Sequence, residues 1–109
     1  MLGGQTGTDA SGRVTAPGDL VAQFAQAVRN VATALRAAGS EPARAVKLTY
    51  FVTDAAAYRA NLEAIGAAYR EVFGRHYPPA SLFEVSGLFD PDALVEIECL
   101  AVRRAAGRP

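Results

Sequence analysis

The chain has one cysteine, one histidine, no net charge and no long apolar run among its 109 residues. Each shortage removes a class of function. A single cysteine, Cys99, makes no intrachain disulfide, which fits a reducing, cytoplasmic setting. A single histidine leaves a zinc site short of its usual ligands. Lysine plus arginine equals aspartate plus glutamate at 11 each, so the chain lacks the positive field that nucleic-acid phosphates reward, and no nucleic-acid partner is expected. No apolar stretch reaches the roughly 18 residues of a membrane span. The opening MLGGQTGTD has neither the basic region nor the apolar core of a signal peptide. No Ser-His-Asp set, phosphate loop or paired-cysteine metal motif is present, and no cofactor or metal is expected. What remains is a chain half of whose residues are hydrophobic, enough for one globular domain and too many for a disordered segment.

Periodicity organises that domain. Residues 1–5 read as a strand fragment, and Gly7 to Gly12 carries turn chemistry. Leu20, Phe24, Val28, Val31 and Leu35 recur at three- and four-residue steps and define a helix over residues 19–38, with Asp19 as N-cap and Gly39 as the C′ residue. Residues 46–52, rich in β-branched and aromatic side chains, read as a strand. Asp54 caps a second helix whose apolar face is Tyr58, Leu62, Ile65, Tyr69 and Val72, and Gly74 stops it. Gly66 inside that helix costs about 1 kcal/mol relative to alanine unless close packing uses its missing side chain. Residues 81–85 and 93–102 read as two further strands around an Asp90-Pro91-Asp92 turn. The order predicts a two-layer α+β domain over residues 1–103, two helices on one face of a mixed sheet, with a basic, fraying tail at 104–109.

Strand alternation predicts what that sheet does with its other face. In the last strand Val95, Ile97, Cys99 and Ala101 suit the helices. Glu96, Glu98, Leu100 and Val102 share the opposite side. A solvated face has no reason to hold Leu100 and Val102. The preceding strand also alternates, Leu82 and Glu84 against Ser81, Phe83 and Val85, and Glu84 is expected beside Glu96 and Glu98. Such a mixed surface fits coverage by another subunit, with the acids at a rim or lining a cleft; scattered surface hydrophobes are the plainer alternative.

Five stretches carry a likeness to a known family: GGQTGTD, AVRNVATALRAAGS, AVKLTYFVTD, YREVFGRHYP and LVEIECLAV, in that order. Together they resemble the RidA/YjgF reactive-intermediate deaminases, also called L-PSP endoribonuclease-like proteins, over about residues 3–103. The resemblance implies a chorismate-mutase-like fold and a homotrimer whose sheets form a central barrel, with ligand clefts at the subunit interfaces. It also implies hydrolysis of enamines and imines such as 2-aminoacrylate, a carboxylate activating water and an arginine binding the substrate carboxylate. A few members are described as ribonucleases or translation inhibitors. Carried over, the carboxylate is Glu96, and Gly4 of the GQ entry belongs to the cleft. The arginine's place falls on Ala80, within Tyr77-Pro78-Pro79-Ala80-Ser81, and a methyl group makes no bidentate contact with a carboxylate. The family's small polar residue falls on Leu82 and its serine before GQ on Gly3. Its helix asparagine matches Asn61 or Gly66. Its first hairpin, with a pocket tyrosine, has no counterpart.

Each candidate has two readings. Glu96 is a general base in a cleft or a rim carboxylate paired across an interface. Arg75 and His76 replace the lost arginine, or the first complements a helix end and the second is solvated. Tyr77 lines an apolar pocket with Leu82 or anchors the loop by packing. Cys99 faces the helices as an inert core thiol. The expected function is binding of a small metabolite in interface clefts near Tyr77, Ala80, Ser81 and Leu82, with imine or enamine hydrolysis at Glu96. The alternatives are a non-catalytic ligand-binding or regulatory trimer, and an endoribonuclease-like translation inhibitor, against which the neutral charge argues.

Overall fold

Asp19 begins the first long element as its side chain suggests: the carboxylate accepts from the Ala22 amide at 3.0 Å, offsetting one orphan donor of the first turn. A computed structural model describes residues 2–103; the tail at 104–109 lies outside the described residues. Helix α1 runs over Leu20–Ala37. Gly39, at φ +83, lets the chain leave it: the Ser40 amide donates to the Leu35 carbonyl and the Gly39 amide to that of Arg36, a Schellman closure that a side chain at positive φ would strain.

The sheet has four strands in the order β1-β4-β2-β3. They are β1 Leu2–Gln5, β2 Ala45–Val52, β3 Ala80–Glu84 and β4 Val95–Ala101. β4 runs antiparallel to both β1 and β2, and β3 runs parallel to β2, so the sheet is mixed as expected. Among the described residues, no helix is long and apolar enough to cross a membrane.

The second helix differs from its expected form. It divides at Asn61 into α2, Ala55–Ala60, and α3, Leu62–Phe73, so three helices cover the sheet. The Asn61 amide bonds to the Tyr58 carbonyl in a tightened turn, while its side chain donates to the Ala57 carbonyl at 2.7 Å. An asparagine that competes for backbone partners in this way disturbs a helix that apolar spacing alone leaves continuous. Asp54 caps α2 through the Ala57 amide, and Gly74, at φ +60, ends α3.

The core lies between the helices and one sheet face. Phe24, Val28, Val31 and Leu35 of α1 and Ile65, Tyr69 and Phe73 of α3 meet Leu48 and Val52 of β2 and Val95, Ile97 and Cys99 of β4. Burial raises the Cys99 thiol pKa, so it is packing material, poor in thiolate. Gln23 is the one fully buried polar side chain among the described residues. Its amide nitrogen donates to the carbonyls of Ala16 and Asp92, and its oxygen accepts from the Leu94 amide. It ties α1 to the segment leading into β4.

Candidate functional site

Two features stand on opposite faces of this sheet. On the helix side, at the β3 edge, is a cavity of about 190 Å³. Its floor is Leu48 and Tyr50 of β2 with Ala80 of β3, and Ala80 is the register partner of Leu48. Tyr58 of α2 and Leu62, Ile65, Gly66 and Tyr69 of α3 roof it. Phe24 closes the inner end, and Tyr77 and Pro78 form a side wall. The rings pack as a set: Phe24 lies 5.8 Å from Tyr50 and 6.2 Å from Tyr58, centre to centre. Tyr69 stacks between Phe73 and Tyr77 at 4.7 and 5.4 Å.

Hydrogen bonds fix that wall. The Tyr69 hydroxyl donates to the His76 carbonyl. The His76 ring reaches the Ala45 carbonyl at 2.7 Å; a carbonyl only accepts, so Nε2 carries the proton. Burial raises the pKa of the Tyr50 and Tyr58 phenols and pushes that of Tyr69 up to about 12. All three are neutral donors at physiological pH.

The other feature is Glu96, near the start of the interior strand β4 on the open face. Its neighbours Val95 and Ile97 are fully buried under the helices, so alternation turns Glu96 away from them. Gly4 of β1 lies against it: a Cβ at Gly4 would sit 2.5 Å from Cδ and Oε2 of Glu96. The missing side chain makes the carboxylate's berth. Phe51 is the register partner of both Glu96 and Phe83, and its ring stacks on Phe83 at 6.0 Å. Lys47 Nζ donates to Ser81 Oγ at 3.3 Å. Phe83 and Leu100 are 53% and 42% exposed, so the mixed acidic and apolar surface expected from alternation is present and uncovered in the single chain.

The expected site residues therefore divide into two groups. Tyr77 and Ala80 line the cavity, and Leu82 follows Ala80 on the helix side without lining it. Gly4, Glu96 and Ser81 lie on the open face. Within one chain Glu96 does not meet Tyr77 or Ala80. Asn61 is turned to its own helix, and Gly66 occupies the cavity wall. His76 is a clip between the loop and β2, and Arg75 is exposed. The expectation for Glu84 is corrected: it is the register partner of Val52 on the helix side, and Oε1 accepts from the Ala55 amide at 2.8 Å, at the start of α2 and away from Glu96. Sequence reasoning assigned Tyr58 and Tyr69 to a helix's core face and Tyr50 to a strand. Their convergence on one cavity depends on the strand order, which periodicity does not contain. Among the described residues, no three His, Cys, Asp or Glu side chains gather closely enough to hold a metal ion.

Comparison with known proteins adds the family. Residues 1–103 match the family described as Endoribonuclease L-PSP. The chain is 34% identical to the RutC family protein UK114 of Drosophila melanogaster over 93% of this chain and 70% of that protein. It is 29% identical to the 2-iminobutanoate/2-iminopropanoate deaminase of Capra hircus over 94% and 71%. The crystal structure of YyfB, a Rid family protein of Yersinia pestis, superposes with a TM-score of 0.81 at 34% identity, covering 92% of this chain and 74% of that one.

Proposed function

Because the chain belongs to the endoribonuclease L-PSP family, the RidA/YjgF proteins, we propose that it binds a small metabolite in clefts completed between copies of itself and hydrolyses an imine or enamine there. The observation that carries this reading is the split just described. The cavity opens at the β3 edge, Glu96 stands on the open face, and the sheet lies between them. A second copy that covers the exposed Phe83 and Leu100 brings its own Glu96 towards the edge of the first. Three copies with their open faces inward place every β3 edge against a neighbour, and such burial removes exposed apolar area that otherwise favours association.

In that cleft Glu96 acts as general base. Its carboxylate takes a proton from a water, and the water's oxygen bonds to the imine carbon. The carbon–nitrogen π electrons move to the nitrogen, which takes that proton to give a carbinolamine. Glu96 then passes the hydroxyl proton to the amino nitrogen as the carbon–nitrogen bond breaks, giving a carbonyl compound and ammonia. A relative named 2-iminobutanoate/2-iminopropanoate deaminase supports the reaction class. One observation favours a second reading, a non-catalytic ligand-binding trimer: a methyl group, Ala80, stands where the resemblance puts the substrate-binding arginine.

Imine hydrolysis separates the two. Freshly generated 2-aminoacrylate and an imine without a carboxylate are each offered to the protein, with buffer and Glu96→Gln as controls. The enzymatic reading expects at least one substrate to react faster than buffer and Glu96→Gln to lose the excess. Mixing Glu96→Gln with Ala80→Phe, each inactive alone, restores activity at interfaces that pair an intact Glu96 with an intact cavity. Rates equal to buffer throughout leave the binding reading.

A further inference from the structure

We propose that the aromatic cavity at the β3 edge takes an uncharged, ring-sized molecule bearing one hydrogen-bonding group, and discriminates against carboxylates. The inference deepens the reading above and rests on it in treating this cavity as the substrate side of the cleft.

Size comes first. A space of about 150 Å³ holds benzene, so this solvent-open cleft of about 190 Å³ accommodates one ring with a short substituent. The walls suit a ring, since the aromatic side chains of Phe24, Tyr58 and Tyr77 all line the space. Offset and edge-on aromatic contacts add to what area burial alone provides.

Charge decides the class. No charged side chain of the chain itself lines the cavity, and the second copy's Glu96 that the reading above brings to the cleft adds negative charge only. A carboxylate held against these walls gives up part of its water to tyrosine rings and gains no cation, a desolvation cost without a compensating partner. Ala80, where the resemblance puts the substrate-binding arginine, supplies only a methyl group to the wall. Arg70 folds back beside Gly66, with Nη1 3.2 Å from the site of a Cβ there, yet it is exposed and stands outside the lining.

The polarity that remains is phenolic. Among the described residues the Tyr50 and Tyr58 hydroxyls bond to no protein group and, since no buried side-chain polar atom is left unmet, both reach solvent, whereas that of Tyr69 is committed to the His76 carbonyl. Burial keeps both free hydroxyls protonated, so each both donates and accepts. An alcohol, neutral imine or carbonyl on the ring satisfies them; an apolar ring leaves them unmet.

Amide NMR titration of the full chain with benzyl alcohol, toluene and benzoate tests this. The proposal expects benzyl alcohol to shift the Tyr58, Gly66 and Tyr69 amides and to bind at least about tenfold more tightly than benzoate. Tyr50→Phe with Tyr58→Phe should weaken benzyl alcohol several-fold and spare toluene. Ala80→Arg, on an exposed edge strand, should reverse the order in favour of benzoate. Benzoate binding as well as benzyl alcohol overturns the proposal, as does loss of benzoate binding in Arg70→Gln, or a cavity that no ring perturbs at millimolar concentration. Imine hydrolysis is scored separately. Hydrolysis with benzoate preferred defeats this inference alone; benzyl alcohol preferred without hydrolysis defeats the deaminase reading alone.

Discussion

Replacing Gly4 by alanine adds one carbon to the open sheet face, and that carbon meets Cδ and Oε2 of Glu96 at 2.5 Å and Cγ at 2.8 Å. Favourable carbon contacts begin near 3.5 Å, so the carboxylate must retreat by about 1 Å. It is the free end of a flexible side chain, and Gly4 does not have the positive φ that only glycine tolerates well. Removing a glycine from extended backbone stabilises by about 0.4–1 kcal/mol through the unfolded state. An off-rotamer Glu96 costs about 0.5–1.5 kcal/mol. The two nearly offset, and the melting temperature should move by less than about 5 °C. Chemistry is far less tolerant: a reacting group misplaced by about 1 Å costs on the order of 10²-fold. Gly4→Ala is thus expected to melt like the parent and to hydrolyse imine about a hundredfold more slowly. Glu96→Asp in that background, shorter by one methylene, should recover part of the rate. A parental rate in Gly4→Ala refutes the argument, and so does a rate loss matched by a large fall in melting temperature.

Three further outcomes follow from the packing around β1, α1 and the tyrosines. Gly7→Ala, only three residues away, meets the α1 backbone instead, with Gln23 O at 2.7 Å and Gln23 Cα at 2.8 Å; overpacking against rigid backbone should cost about 3 kcal/mol in chemical denaturation. Gln23→Leu strands the Ala16 and Asp92 carbonyls and the Leu94 amide; at about 1–3 kcal/mol for each unmet buried group, the melting temperature should fall by more than about 10 °C. In alkali, Tyr50, Tyr58 and Tyr69 bind their protons more tightly folded than unfolded. Their contribution to stability is therefore complete below pH 10 and declines above it, that of Tyr69 being lost as pH rises through about 12. Ultraviolet phenolate absorbance and circular dichroism should rise and fall together across that window, and Tyr50→Phe should soften the transition.

Much of the fold was legible because it rests on local rules. Asp19, Gly39, Asp54 and Gly74 mark element ends by their own chemistry, and alternation in β4 correctly separated Val95, Ile97 and Cys99 from Glu96, Glu98 and Leu100. The break at Asn61 escaped because one side-chain bond to Ala57 outweighs apolar spacing that reads straight through it. Glu84 was put on the wrong face because alternation within a strand leaves open which face meets the helices; pairing with Val52 fixes it. Gln23 gives no sequence signal, because its role needs partners about 70 positions away. The cavity was half visible. Tyr77 and Ala80 stood out in the loop, whereas Tyr50, Tyr58 and Tyr69 converge only once β3 is known to lie beside β2.

The claim on which the functional account depends is that copies of the chain share the open sheet face and complete one another's sites. Sedimentation equilibrium at micromolar concentration tests it most directly. The account predicts a mass three times that of the 11.4 kDa chain, persisting on dilution. A stable 11.4 kDa species, with Glu96 and Leu100 both open to water, contradicts it.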